Sequence, residues 1–197
     1  GTAPPWQQVL TEQGGTIFMG MLAVLNSVLY PYTGQDDIII GTPVSGREHN
    51  DLEGQIGFYV NTLAIRCRNI AKKGFRDILK DTIGLTMDAF AHQSYPFDKL
   101  VDELQLRRDL SRNPVFDVML VVQNNNAAAG GGDQGPKMDG LEVKNYQGSG
   151  EDSDNGSISK FDLMFSFGTG GDDIFASVQY NTDLFKKESI ERMLNHL

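Results

Sequence analysis

A chain of 197 residues, 40% hydrophobic and 22% charged, has the size and composition of one soluble globular unit with a substantial core. Its net charge of −9 argues against a nucleic-acid partner, since phosphate binding needs clustered Lys and Arg. A single cysteine, Cys67, leaves no internal disulfide framework and fits a reducing compartment. With no apolar run of membrane-spanning length and no signal-peptide pattern, the expectation is a cytoplasmic chain with no membrane association.

The stretch from Trp6 to Glu12 reads as a short helix closed by Gly14 and Gly15. From Thr16 to Tyr30 the chain is apolar on nearly every face, which predicts a buried helix capped by Thr16 and ended by Pro31. Ile38 to Ile40 form a short β-rich run between turn residues. Residues 57–68, GFYVNTLAIRCR, are β-rich with apolar residues in both phases, which predicts a strand covered on both faces. A second long helix is predicted from Phe75 to Gln93, with Phe75, Ile78, Leu79, Ile83, Met87 and Phe90 as its apolar stripe. Pro96 breaks it, and Phe97 to Leu104 make a shorter helical stretch.

The segment FDVMLVV (116–122) is the clearest buried strand. Residues 124–140 and 147–157, rich in Gly, Asn, Ser and acids, read as long mobile loops around a strand at 141–146. FDLMFSF (161–167) and IFASVQY (174–180) then predict a hairpin around GTGGDD, and a last amphipathic helix follows over 187–197. The order predicts an α/β sandwich with a mixed sheet packed by helices.

Little in the chain suggests independent catalysis. His49, His92 and His196 form no paired or metal-ligating motif, so no metal site is expected. There is no G-x-S-x-G elbow. The Gly-rich GGTIFMG lacks the Lys-Ser/Thr of a phosphate loop, and GTGGDD joins two strands and carries aspartates that repel phosphate. His92 follows a helical repeat with no orienting partner in sight, which suits a helix-end residue better than a catalytic base.

Three stretches in register carry more. IGFYVNTLAIR (56–66), HQSYPFDKLV (92–101) and RRDLSRNPVFDVML (107–120) resemble the later core motifs of condensation domains of nonribosomal peptide synthetases. Tyr59 stands where the family pattern has Phe, Asp98 where it has Glu, and Val115 where it has Leu. GQDDIIIGTPVSGRE (34–48) and 159–197 also look like that family, so the resemblance spans essentially the whole chain. The family's HHxxxDG signature belongs to an amino-terminal lobe and is absent here.

The resemblance therefore implies residues 1–197 to be a carboxyl-terminal lobe of chloramphenicol-acetyltransferase-like fold. It further implies no catalytic residue of its own, no intrinsic cofactor, and inactivity when isolated. The expected partners are the amino-terminal lobe, peptidyl carrier proteins upstream and downstream that bring substrates on 4'-phosphopantetheine, and an adjacent adenylation domain. By the same resemblance Tyr59, Asn61, Thr62 and Arg47 line the substrate tunnel or the lobe interface. Asn61 and Thr62 would donate to substrate or tether, or Asn61 would instead satisfy backbone groups. Arg47 would pair with the absent signature's aspartate, or with Glu48 or Asp51.

Gly57, Gln93, Pro96, Phe97, Arg108, Asp109, Arg112, Asn113 and Pro114 are expected to shape the fold, Arg112 and Asp109 through ion pairs and turn bonds that pin strand 116–122. Lys72, Lys73, Arg76 and Arg107 with Arg108 are the expected carrier contacts, and 124–157 is the place for a latch crossing to the other lobe. The alternatives are an epimerization-type relative and a noncatalytic recruitment module of the same fold.

Overall fold

The computed structural model describes residues 4–47, 49–52, 54–106, 112–123, 160–170 and 173–197. Arg107, Arg108, Asp109, Glu48, the expected loops 124–140 and 147–157 with the strand between them, and the hairpin apex at 171–172 lie outside the described residues.

Helix α1 runs Pro5–Glu12, with proline at its first position, where no N–H is needed. Helix α2 runs Ile17–Thr33 and is capped by Thr16, whose hydroxyl accepts from the Met19 N–H at 3.3 Å. Pro31 does not end α2, contrary to the sequence expectation. It sits in the last turn, where its missing N–H costs one helical bond, and its fixed φ is itself helical. Gly34 ends the helix instead, in the left-handed conformation (φ 64°), donating its N–H to the Tyr30 carbonyl at 2.8 Å.

Five strands follow: β1 (Asp37–Ser45), β2 (Val60–Arg68), β3 (Val118–Gln123), β4 (Leu163–Gly170) and β5 (Asp173–Tyr180), in spatial order β2-β1-β3-β4-β5. The β1–β3 and β3–β4 pairs are parallel; β1–β2 and the β4–β5 hairpin are antiparallel, so the sheet is mixed as expected. Strand β1 is longer than the 38–40 run because it pairs with β2 through nine residues. Pro43 is tolerated because β3 pairs with β1 only at Ile40 and Gly41, so no ladder partner is lost beyond them.

Strand β2 starts at Val60, later than predicted, and is an edge strand buried on one face only, through Leu63, Ile65 and Cys67. On its other face Arg66 meets Asp37 at 2.5 Å and Arg68 meets the same carboxylate at 3.6 Å, which holds that carboxyl below its ordinary range. Apolar residues in both phases therefore did not mean cover on both faces.

Helix α3 (Phe75–Ala91) and helix α4 (Phe97–Glu103) follow β2, and helix α5 (Lys187–Asn195) closes the chain. The α3 stripe also differs from expectation: Ile78, Leu79, Thr82 and Thr86 are buried, whereas Phe75 and Met87 are 42% and 60% exposed. Both threonines are fully buried, so the buried stripe runs through polar positions that an apolar count passes over.

Helices α2, α3 and α5 cover one face of the sheet. There Leu22, Leu25 and Leu29 pack against Ile38, Ile40, Ile65, Leu120, Phe165 and Phe167 in one core, joined by Ile190 and Met193. Cys67 lies in this layer, accepting from Asn26 Nδ2 at 3.1 Å; burial pushes its thiol up to about 11, so it is no nucleophile.

On the opposite face Phe116 lies directly on Gly41, flanked by Phe97 at 5.7 Å and Phe161 at 5.6 Å between ring centroids. No single helix among the described residues is long and apolar enough to cross a membrane.

Candidate functional site

Three of the sequence motifs meet at one end of the sheet, where β1 leaves, β2 enters and α3 hands over to α4. The excursion from Gly46 to Tyr59 is closed by a bond from the Gly46 N–H to the Tyr59 carbonyl at 2.6 Å. A Cβ on Gly46 would stand 2.4 Å from that carbonyl oxygen, so only glycine allows the closure. The Arg47 guanidinium lies 4.4 Å over the Tyr59 ring and donates to the Leu52 carbonyl. The Tyr59 hydroxyl donates to Gln55 Oε1 at 2.8 Å, and a Cβ on Gly57 would press on the tyrosine ring at 2.8 Å.

Tyr59 is thus the post around which the loop is wound. Arg47 pairs with it rather than with Asp51, which meets His49 at 3.3 Å instead.

Asn61 is fully committed within the chain. Its Nδ2 donates to the carbonyls of Gln93 (2.7 Å) and Tyr95 (2.8 Å), and its Oδ1 accepts from the Phe97 N–H at 3.1 Å. Both amide hydrogens are spent, so the geometry is that of a clamp holding the α3–α4 connection against β2. It does not present a free donor to a ligand.

Thr62 is the neighbour in an alternating strand and projects to the other face, so the two residues do not serve one point as the sequence reading paired them. The clamped connection is tied further by Tyr95, whose hydroxyl bonds Glu103, raising the phenol above its ordinary range, and whose ring sits 5.5 Å from Lys99 Nζ. Pro96 supplies the extended residue (φ −65°, ψ 133°) before α4, and Phe97 anchors it on Phe116.

His92 occupies the C-terminal cap of α3, with Nδ1 2.9 Å from the Asp88 carbonyl of its own helix. His49 and His196 lie elsewhere, the latter bonded to Tyr32 at 2.9 Å, and no metal-holding cluster is found among the described residues.

At the entry to β3 Arg112 bonds Asp117 at 2.5 Å, and Asn113 Oδ1 accepts from the Val115 N–H at 3.3 Å in a turn around Pro114. Of the basic cluster, Lys73 is held by Asp81 at 2.6 Å and by the Arg68 carbonyl at 3.2 Å. Lys72 and Arg76 remain exposed.

The residues the sequence reading missed are apolar. Ile56 and Phe58 are 104% and 91% exposed, and Val60 is half-exposed beside them. Their signal was present as the surplus apolar phase of IGFYV, read as strand cover when it is an uncovered ridge.

The fold, a mixed sheet packed by helices, is of the chloramphenicol-acetyltransferase-like type. A four-domain nonribosomal peptide synthetase bound to AMP and glycine superposes with a TM-score of 0.79 at 21% identity, over 96% of this chain and 15% of that one. The X-domain from teicoplanin biosynthesis superposes at 0.74 and 23% identity, over 95% of this chain and 41% of that one.

The family profile described as Condensation domain matches residues 2–197, and the chain belongs to that family. It is 40% identical over 191 residues to bacitracin synthase 1 of Bacillus licheniformis, covering 97% of this chain and 3% of that protein. It is 39% identical over 190 residues to gramicidin S synthase 2 of Brevibacillus brevis, covering 96% and 4%. The chain therefore spans a small fraction of the length of the curated relatives it matches.

Proposed function

We propose that this chain is the carboxyl-terminal lobe of a condensation domain that forms amide bonds between carrier-bound aminoacyl or peptidyl thioesters, in the cytoplasm. In that reaction the acceptor amine attacks the donor thioester. The C–N bond forms, the C–S bond breaks, and the amine's proton leaves as the pantetheine sulfur departs as thiol. Tethering and alignment supply much of the acceleration, and a lobe contributes by fixing one wall of the tunnel. Proton handling belongs to the HHxxxDG lobe, so this chain acts as wall and scaffold and has no turnover alone.

The observation that carries the reading is the ridge Ile56–Phe58–Val60, apolar and uncovered, on a loop held rigid by Arg47, Tyr59 and the Asn61 clamp. A soluble surface keeps such a ridge for a partner, and the amino-terminal lobe is that partner. Peptidyl carriers with their 4'-phosphopantetheine arms dock outside it, where Lys72 and Arg76 remain exposed, and an adenylation domain lies adjacent.

The experiment uses the two-lobe parent with aminoacyl carriers on both sides. Replacing Ile56 and Phe58 together by serine is expected to lower dipeptide formation at least about tenfold while leaving the lobe's own thermal unfolding unchanged, because exposed residues carry little of the core. Undiminished product would remove the ridge from the lobe interface. A recruitment module of this fold is the second reading, favoured by the likeness to the teicoplanin X-domain, a protein also seen in complex with OxyB. A parent that makes no dipeptide yet retains carrier binding would point to it.

A further inference from the structure

Strands β1 and β3 are parallel neighbours, yet they pair only at Ile40–Val118 and Gly41–Met119. Beyond that point each keeps its other partner. β1 stays on β2 as far as Ser45–Val60, and β3 stays on β4 as far as Gln123–Gly168. From Thr42 and Leu120 onward the sheet is therefore split into β2–β1 and β3–β4–β5. The chain leaves β1 for β2 on one side and β3 for β4 on the other. The carboxyl ends of two parallel strands thus flank a topological switch point, where open α/β sheets bind their ligands.

The split starts where one N–H is missing. In an antiparallel pair alternate residues bond across the pair, and the others turn their N–H and C=O away. The Gly46 N–H bonds the Tyr59 carbonyl at 2.6 Å and the Asn69 N–H bonds the Asp36 carbonyl at 2.9 Å, one step beyond each end of the β1–β2 register. The even-numbered residues of β1 accordingly bond β2, and Gly41, Pro43 and Ser45 face β3. On the other wall the Asp117 carbonyl accepts from the Leu163 N–H of β4 at 3.2 Å, so Val118, Leu120 and Val122 face β1. Continued by one step, the β1–β3 ladder needs an N–H at position 43 for the Leu120 carbonyl. Proline has none. Among the described residues, the carbonyls of Leu120 and Pro43 and the N–H groups of Ser45 and Val122 have no ladder partner. Each wall of the split offers one donor and one acceptor. Phe116 lies on Gly41 at its foot, and Val60 of the apolar ridge pairs with Ser45 at its rim.

Resting on the function proposed above, we propose that Pro43 is a positioning residue that keeps this split open, and that the split seats the extended pantetheine arm bearing a substrate. Pantetheine is a flexible chain with two amides, so stretched out it can bond both walls as an added strand would.

The test combines hydrogen exchange with turnover in the two-lobe parent. Pro43→Val and Pro43→Ala each restore an N–H at an exposed position, so the fold is at little risk. The new amide at position 43 is expected to be protected, and exchange at Ser45 and Val122 to slow, as β1 and β3 zip together. Dipeptide formation from carrier-bound substrates should fall at least about tenfold, because the arm loses its seat. Lower activity with faster exchange at these amides would be ordinary structural damage and would overturn the proposal. So would an unprotected amide at position 43, which means that the strands diverge without the proline, or a zipped split with undiminished turnover. An unaltered parent that makes no dipeptide would instead sink the function proposed above, while the exchange result still decides what Pro43 does.

Discussion

Asn61→Ala is expected to destabilise the chain by about 1–3 kcal/mol, lowering the urea midpoint without changing the slope of the transition. Three hydrogen bonds disappear, to the backbone of Gln93, Tyr95 and Phe97, each contributing about 0.5–1.5 kcal/mol net. The sum falls short of three full bonds because the site is partly open and water replaces some of what is lost. Asn61→Asp sharpens the test. Aspartate still accepts from the Phe97 N–H but sets a carboxylate against two carbonyl oxygens, so it should cost at least as much as alanine.

Amide exchange at Phe97 should accelerate in Asn61→Ala and less so in Asn61→Asp. If alanine left stability untouched while amide formation in the two-lobe parent collapsed, the clamp would be incidental and Asn61 would act on substrate.

Element types were legible because the periods were strong: α2, the end strands and α5 follow directly from apolar spacing. The failures have physical causes. Pro31 was read as a stop, but a proline in a last turn forfeits a single bond, and the ending is set by the left-handed Gly34. The α3 stripe was misread because Thr82, which bonds Cys67, and Thr86 are buried within it, where an apolar count sees only gaps.

For the site, local spacing placed Tyr59, Asn61 and the QSYPF connection as motifs and left open that Asn61 satisfies backbone groups, but it gave no hint that this backbone lies 32 to 36 residues away. That bond exists only once β2 is an edge strand with α3 laid across it. Exposure was equally hidden: IGFYV has the composition of a buried strand, and only the closure of Gly46 on Tyr59 turns Ile56 and Phe58 outward.

The other large effect is expected at Gly41. In β1 this residue is paired on both sides, with Ala64 of β2 and Met119 of β3, so its backbone has no room to withdraw. The Phe116 ring lies on it so closely that an added Cβ would stand 2.2 Å from two ring carbons and 2.7 Å from a third. The ring is itself hemmed in by Phe97 and Phe161, so it cannot slide aside without disturbing the anchor of α4.

Overpacking of this kind costs about 1–3 kcal/mol or more, and the entropic gain of Gly→Ala in the unfolded chain, at most about 1 kcal/mol, offsets only part. Gly41→Ala should therefore lower stability by about 2 kcal/mol or more and loosen α4, seen as a lower melting temperature and faster exchange at residues 97–103. Phe116→Leu alone should cost about 1–2 kcal/mol. Combined, the two should be less destabilising than their sum, because the shorter side chain vacates the space that the new methyl needs. Strict additivity would mean that the ring is not what forbids a side chain at position 41, and that β1 yields where its double pairing says it is fixed.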